Sequence, residues 1–148
     1  MSVRLFLSAA AMFALAALQS CTSEHNSSFV NVNPRGWSQS AAIAVENVDT
    51  VTRRDIAIYM RYRPSRELND VSLTIQTTAP NEISASDKIT LFPAQHKSNK
   101  WSSTQFMEVQ YRMNVVWNQI GDYNIEITPA KEELGIELVG IKITESKR

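Results

Sequence analysis

The sequence predicts an all-β protein: an antiparallel β-sandwich of about seven or eight strands, with a β-barrel as the alternative closure. Two observations carry this. Apolar residues recur at every second position through most of the chain, the repeat of a strand with one buried face. Proline, glycine and asparagine clusters cut these runs into pieces of strand length. A third observation is negative, since no stretch after residue 28 sustains a helical period. The sole helical expectation is a single turn, Ala130 to Leu134, after Pro129.

The first segment stands outside the fold. Met1 to Arg4 carries one positive charge, and Leu5 to Leu18 is a charge-free run of apolar and small residues. Fourteen residues make a helix of about 21 Å, short of the roughly 20 apolar residues that span a bilayer. The run has the length of a signal-peptide core. Leu18-Gln19-Ser20-Cys21 follows and resembles the lipobox of bacterial lipoproteins. The resemblance implies that residues 1–20 are removed and that the Cys21 thiol carries diacylglycerol. Two or more acyl chains anchor stably where one holds marginally. Cys21 is also the lone cysteine, so the chain forms no disulfide within itself.

Removing the first 20 of 148 residues leaves 128, the size of one domain. Thr22 to Ser28 reads as a polar tether, completing a lipidated segment 21–28, and 29–148 reads as the domain. Without Arg4 the chain has 14 basic and 15 acidic groups, a balance that gives no reason to expect nucleic acid as a partner.

The strands follow in order. Phe29 to Val32 and Ala41 to Asn47 are short candidates. Ile56, Ile58, Met60 and Tyr62 form an apolar face opposite Asp55, Ala57, Tyr59 and Arg61. Val71, Leu73 and Ile75 alternate with Ser72, Thr74 and Gln76, and Lys88 to Phe92 is a weaker run. Met107, Val109, Tyr111, Met113 and Val115 share one parity, as do Tyr123, Ile125 and Ile127. In the last segment Ile136 and Leu138 share one parity whereas Val139, Ile141 and Ile143 share the other. That phase change beside Gly140 predicts a bulge or turn near Leu138. Strands with one apolar face each must pair two sheets or close one on itself.

Chemistry is sparse. His25 and His96 lie too far apart in sequence for metal-ligand spacing, and no serine occupies a G-x-S-x-G setting. Glu132-Glu133 falls in the expected helical turn, where carboxylates favour the N-terminus. No catalytic residue, metal or cofactor is therefore assigned.

Two surfaces suit partner contact. Arg53, Arg54, Arg61, Arg63 and Arg66 spread over one strand and its flanks, with Arg61 and Arg63 on one face. They would meet anionic groups of a partner, or be solvated and paired with Asp55, Glu67 and Asp70, the reading favoured here. The loop Pro93 to Thr104 is longer than most connections and presents Trp101 among polar neighbours, as a binding anchor or a cover over the core edge. Trp37 and Trp117 are expected in the core or at a sheet edge.

Gly135-Ile136-Glu137-Leu138-Val139-Gly140-Ile141-Lys142-Ile143 resembles the C-terminal signature of the GldH family, gliding-motility lipoproteins of Bacteroidetes. Gly121-Asp122-Tyr123-Asn124-Ile125-Glu126-Ile127 is similar to that family's preceding Gly-x-Tyr segment, and Asn69 to Leu73 resembles its Asn-Leu-x-Leu strand. The chain departs from the pattern at Leu138, at Lys100 to Ser102 and at Pro129 to Glu133. The resemblance implies a non-enzymatic envelope lipoprotein of the gliding machinery, acting through protein–protein contacts. Thr22 after the cysteine, in place of the aspartate of the lipoprotein pattern, implies the outer membrane, and the domain is expected to face the periplasm. The other class is a lipid-anchored module binding a glycan or small ligand. An exposed aromatic platform beside polar groups would favour that class, and an apolar patch or open sheet edge would favour protein contact.

Overall fold

A computed structural model describes residues 26–65, 68–95 and 102–147. Eight strands form: β1 (Asn26–Asn31), β2 (Ala41–Asn47), β3 (Arg53–Tyr62), β4 (Val71–Thr78), β5 (Ser84–Leu91), β6 (Gln105–Val116), β7 (Gly121–Pro129) and β8 (Ile136–Glu145). They pair antiparallel into two four-stranded sheets, ordered β1-β8-β3-β6 and β2-β7-β4-β5, which pack face to face as a sandwich. The expected fold class holds, and neither sheet closes into a barrel.

Alternation in the sequence becomes the core. Ile58, Met60, Ile141 and Val139 from the first sheet meet Val71, Ile75 and Ile127 from the second, each with no exposed surface. Trp37 and Trp117 are both buried. Burying a side chain of this size contributes about 1.5–3 kcal/mol, and sheets stacked about 10 Å apart leave room for one interdigitated layer.

The bulge expected near Leu138 is present. Arg61 pairs with Leu138 but Tyr62 pairs with Ile136, leaving Glu137 as the extra residue of β8. This single residue returns Ile136 to the core parity and accounts for the phase change.

Three expectations need correction. The segment Ala130 to Leu134 is not a helical turn. Ala130 N–H donates to the Ser72 carbonyl, and Glu133 exchanges two backbone hydrogen bonds of 2.9 Å with Trp37, so these backbone groups pair across the chain and not within a turn. Met113 is 68% exposed despite its parity, because β6 changes register against β3 between Arg54 and Ala57. Asn114 there takes a left-handed φ of 56°, its amide held 2.9 Å from Asp55 Oδ1. Strand β1 begins at Asn26, so the last three residues assigned to the tether belong to the domain.

On one side of the sandwich the edge strands β1 and β2 contact each other. On the other, β5 and β6 are both edge strands and are latched by side chains. Tyr111 donates its hydroxyl to Asp87 Oδ2 at 2.5 Å, and Arg112 donates to the same oxygen. These two donors hold the Asp87 carboxyl below its ordinary range.

Candidate functional site

The outward face of the β1-β8-β3-β6 sheet concentrates aromatic and charged side chains. Its rows follow from register. Phe29, Gly140, Tyr59 and Glu108 lie side by side across four strands, and Asn31, Leu138, Arg61 and Phe106 form the next row. Strand pleating puts all of these on the face opposite the core.

Gly140 organises the first row. A Cβ on it would come within 3 Å of the Phe29 ring, the Phe29 Cα and the Ser28 carbonyl oxygen. With no side chain there, Phe29 reaches across β8 and its ring centroid sits 5.0 Å from that of Tyr59. Tyr59 in turn lies 5.8 Å from Phe106 on β6. The rings are tilted by 53° and 39° in the two pairs, so they follow the sheet twist and do not form one plane. Such pairs contribute about 0.5–1.5 kcal/mol beyond area burial. Phe29 and Phe106 remain 44% and 51% exposed, and the stripe ends on β6. Among the described residues no strand pairs with the outer edge of β6.

Charges border the stripe. Lys142 bridges to Glu108 at 3.2 Å on one flank. On the other, Glu137 serves both arginines that the sequence singled out. Its Oε1 accepts from Arg63 Nε at 2.5 Å, and its Oε2 lies 3.1 Å from Arg61 Nε. The latter contact lies off the N–H direction, so it is an ion pair without a hydrogen bond there. Arg61 and Arg63 thus do share a face, and among the described residues their partner is the bulge residue and not Asp55 or Asp70; Arg66 and Glu67 lie outside the described residues. Asp55 instead accepts from the Asn114 amide and, at 2.5 Å, from the Ser146 hydroxyl. Arg54 turns away from the arginine group, onto Asp49 at 3.0 Å and over the Trp117 ring. Burial pushes the Tyr59 phenol upward, with Glu108 adding to it while Arg61 and Lys142 oppose, so it stays neutral in this setting.

Cys21 and Trp101 lie outside the described residues. Among those described, no three His, Cys, Asp or Glu side chains gather as a metal site, and no helix is long and apolar enough to cross a membrane. Sequence reading found the arginines but missed Phe29, Phe106, Gly140 and Glu137. Tyr59 and Phe106, large aromatics on the solvent parity of their strands, were the available signal.

No family model and no curated protein matches the chain. Several solved structures do, all at low identity. A mitogen from Yersinia pseudotuberculosis matches 85% of this chain and 89% of its own at 8% identity and TM-score 0.39. A Xylanase10C mutant from Cellvibrio japonicus in complex with xylopentaose matches at 14% identity and TM-score 0.43, over 88% of this chain and 26% of its own. The VP2 protein of infectious bursal disease virus matches at 14% identity and TM-score 0.38, over 83% of this chain and 30% of its own. At these scores none of them bears on what the chain does.

Proposed function

We propose that the protein is a non-enzymatic envelope lipoprotein, held at the outer membrane by lipid on Cys21, that grips a protein partner on the Phe29–Tyr59–Phe106 face. The observation that carries this reading is the exposed aromatic stripe ending at an unpaired strand edge, with Arg61 and Arg63 beside it. Aromatic residues and arginine are enriched in protein interfaces and dominate their energetics. Glu137 keeps the two arginines ordered without burying them, so they are available to a partner carboxylate at little ordering cost. The GldH resemblance makes a component of the gliding-motility machinery the natural partner.

Crosslinking and copurification from intact cells test the reading. The double variant Phe29→Ser with Phe106→Ser is expected to lower capture about thirtyfold, the equivalent of about 2 kcal/mol at a hot spot. Arg61→Ser with Arg63→Ser should weaken capture less, with little change in melting temperature. Unchanged capture by both double variants refutes the assignment. Incorporation of labelled fatty acid must vanish in Cys21→Ser, and label persisting on that variant would refute the anchor.

A second reading is favoured by Lys142 and Glu108, polar groups placed beside the rings. Such a platform also suits sugar rings. Saturable glycan binding by the wild type, lost with Phe29→Ser and Phe106→Ser, would replace the protein partner with a carbohydrate.

A further inference from the structure

The two sheets part on the β5–β6 side and leave a cleft of about 240 Å³ behind the Asp87–Tyr111–Arg112 latch. Its interior is lined by Ile56, Val115, Trp117, Ile125 and Ile141. It is a different surface from the aromatic stripe, facing inward between the sheets. An apolar cavity of about 150 Å³ stays dry and suffices for benzene. This one is half as large again and opens to the outside between two edge strands.

The lining narrows the chemistry of an occupant. The polar groups at the mouth are spent on one another, since both Tyr111 and Arg112 donate to Asp87. The rest of the lining is aliphatic apart from Thr77 and the Trp117 indole. That indole is already engaged, stacked on Tyr123 at 4.5 Å with the Arg54 guanidinium 5.6 Å from its centroid. An aromatic ligand would have to displace one of these partners to stack on it. An aliphatic chain needs neither.

We propose that this cleft binds the apolar end of a single acyl chain, inserted between β5 and β6 with its polar end outside the latch. Asp87, Tyr111 and Arg112 close over the chain as a side-chain gate. The structure supplies a fluorescent reporter in Trp117, which lines the cleft and meets the chain directly.

The test titrates full-length Cys21→Ser protein with hexanoate, octanoate and decanoate below their micellar concentrations, and with decanoate brominated at its terminal carbon. Affinity is expected to rise about fourfold per methylene, the equivalent of about 0.8 kcal/mol, and to level off once the cleft is full. Brominated decanoate should quench tryptophan emission saturably, and Trp117→Phe should abolish that quenching while decanoate still binds. Val115→Phe fills the cleft and should remove binding; should that variant not fold, Ala85→Phe at the rim obstructs the mouth instead. Absence of saturable binding, affinity independent of chain length, or undiminished binding by the folded filling variants would overturn the proposal. Wild-type protein in nanodiscs, titrated in parallel, separates the sources of the chain. Equal binding assigns the cleft to a free acyl chain, and binding seen only with Cys21→Ser assigns it to the protein's own lipid.

Discussion

Replacing Gly140 with alanine should dismantle the aromatic face without touching the core. The glycine has no left-handed φ, so the change introduces no backbone strain of its own. The added methyl would collide with two kinds of neighbour. One is the Phe29 ring, which can rotate away at the loss of its contact with Tyr59, a cost of about 1 kcal/mol. The other is backbone, the Ser28 carbonyl oxygen and the Phe29 Cα, which move only if β1 shifts on β8. Overpacking of that kind costs about 1–3 kcal/mol. Together the loss is expected at about 2–4 kcal/mol, read from urea midpoints at an unchanged denaturant slope. A double-mutant cycle separates the parts. With Phe29→Ala already in place, Gly140→Ala should cost about 1 kcal/mol less, because only the backbone collision remains. A loss below about 0.5 kcal/mol in the wild-type background would refute the close approach of β1 to β8 on which the face depends.

Three further outcomes are expected. Leu73→Ala should cost about 2–5 kcal/mol and Thr74→Ala far less, since Leu73 is 1% exposed between β5 and β7 whereas Thr74 points outward; equal denaturation midpoints would contradict the facing of β4. Asp49 accepts from the Thr52 and Val51 amides, which lower its pKa to about 2. Its stabilisation is therefore complete above its unfolded pKa of about 3.9 and lost as pH falls through about 2, so the difference in melting temperature between wild type and Asp49→Asn should close over that window. Burial raises the pKa of Glu133, and its Oε1 has no hydrogen-bond partner among the described residues. Ionisation therefore destabilises the fold as pH rises, and Glu133→Gln should gain about 1 kcal/mol at neutral pH but not at pH 4; an equal gain at both would point to packing instead of charge.

Strand identity was legible because a sheet with one buried face imposes a repeat of two on each segment separately. Ala41 to Asn47 and Val71 to Ile75 could be read for that reason, and so could the bulge near Leu138. Partnership was not legible, because alternation says which side chains point inward and nothing of which strand lies alongside. Phe29, Tyr59 and Phe106 meet only through the order β1-β8-β3-β6, and the shared hold of Glu137 on Arg61 and Arg63 needs the bulge as well. The expected helix at Ala130 to Leu134 failed for a related reason. Local preference for a helical turn yielded to backbone hydrogen bonds with Trp37 and Ser72, which no local window contains.

The position of β1 has a mechanical consequence. It is the edge strand nearest the N-terminus, held to β8 along one side. Tension entering through the residues before Asn26 falls on this strand first. Pulled across the sheet, its six residue pairs part in sequence from Asn26–Ile143 inward, so the strand resists with one pair at a time. Pulled along its own axis, all six resist together. In the first geometry Phe29 is the fourth residue to detach, and its ring leaves Tyr59 while β3, β8 and the core stay packed. Load from that end would therefore open the Phe29–Tyr59 contact at a fraction of the force that unfolds the domain, making β1 a mechanical fuse for the aromatic face.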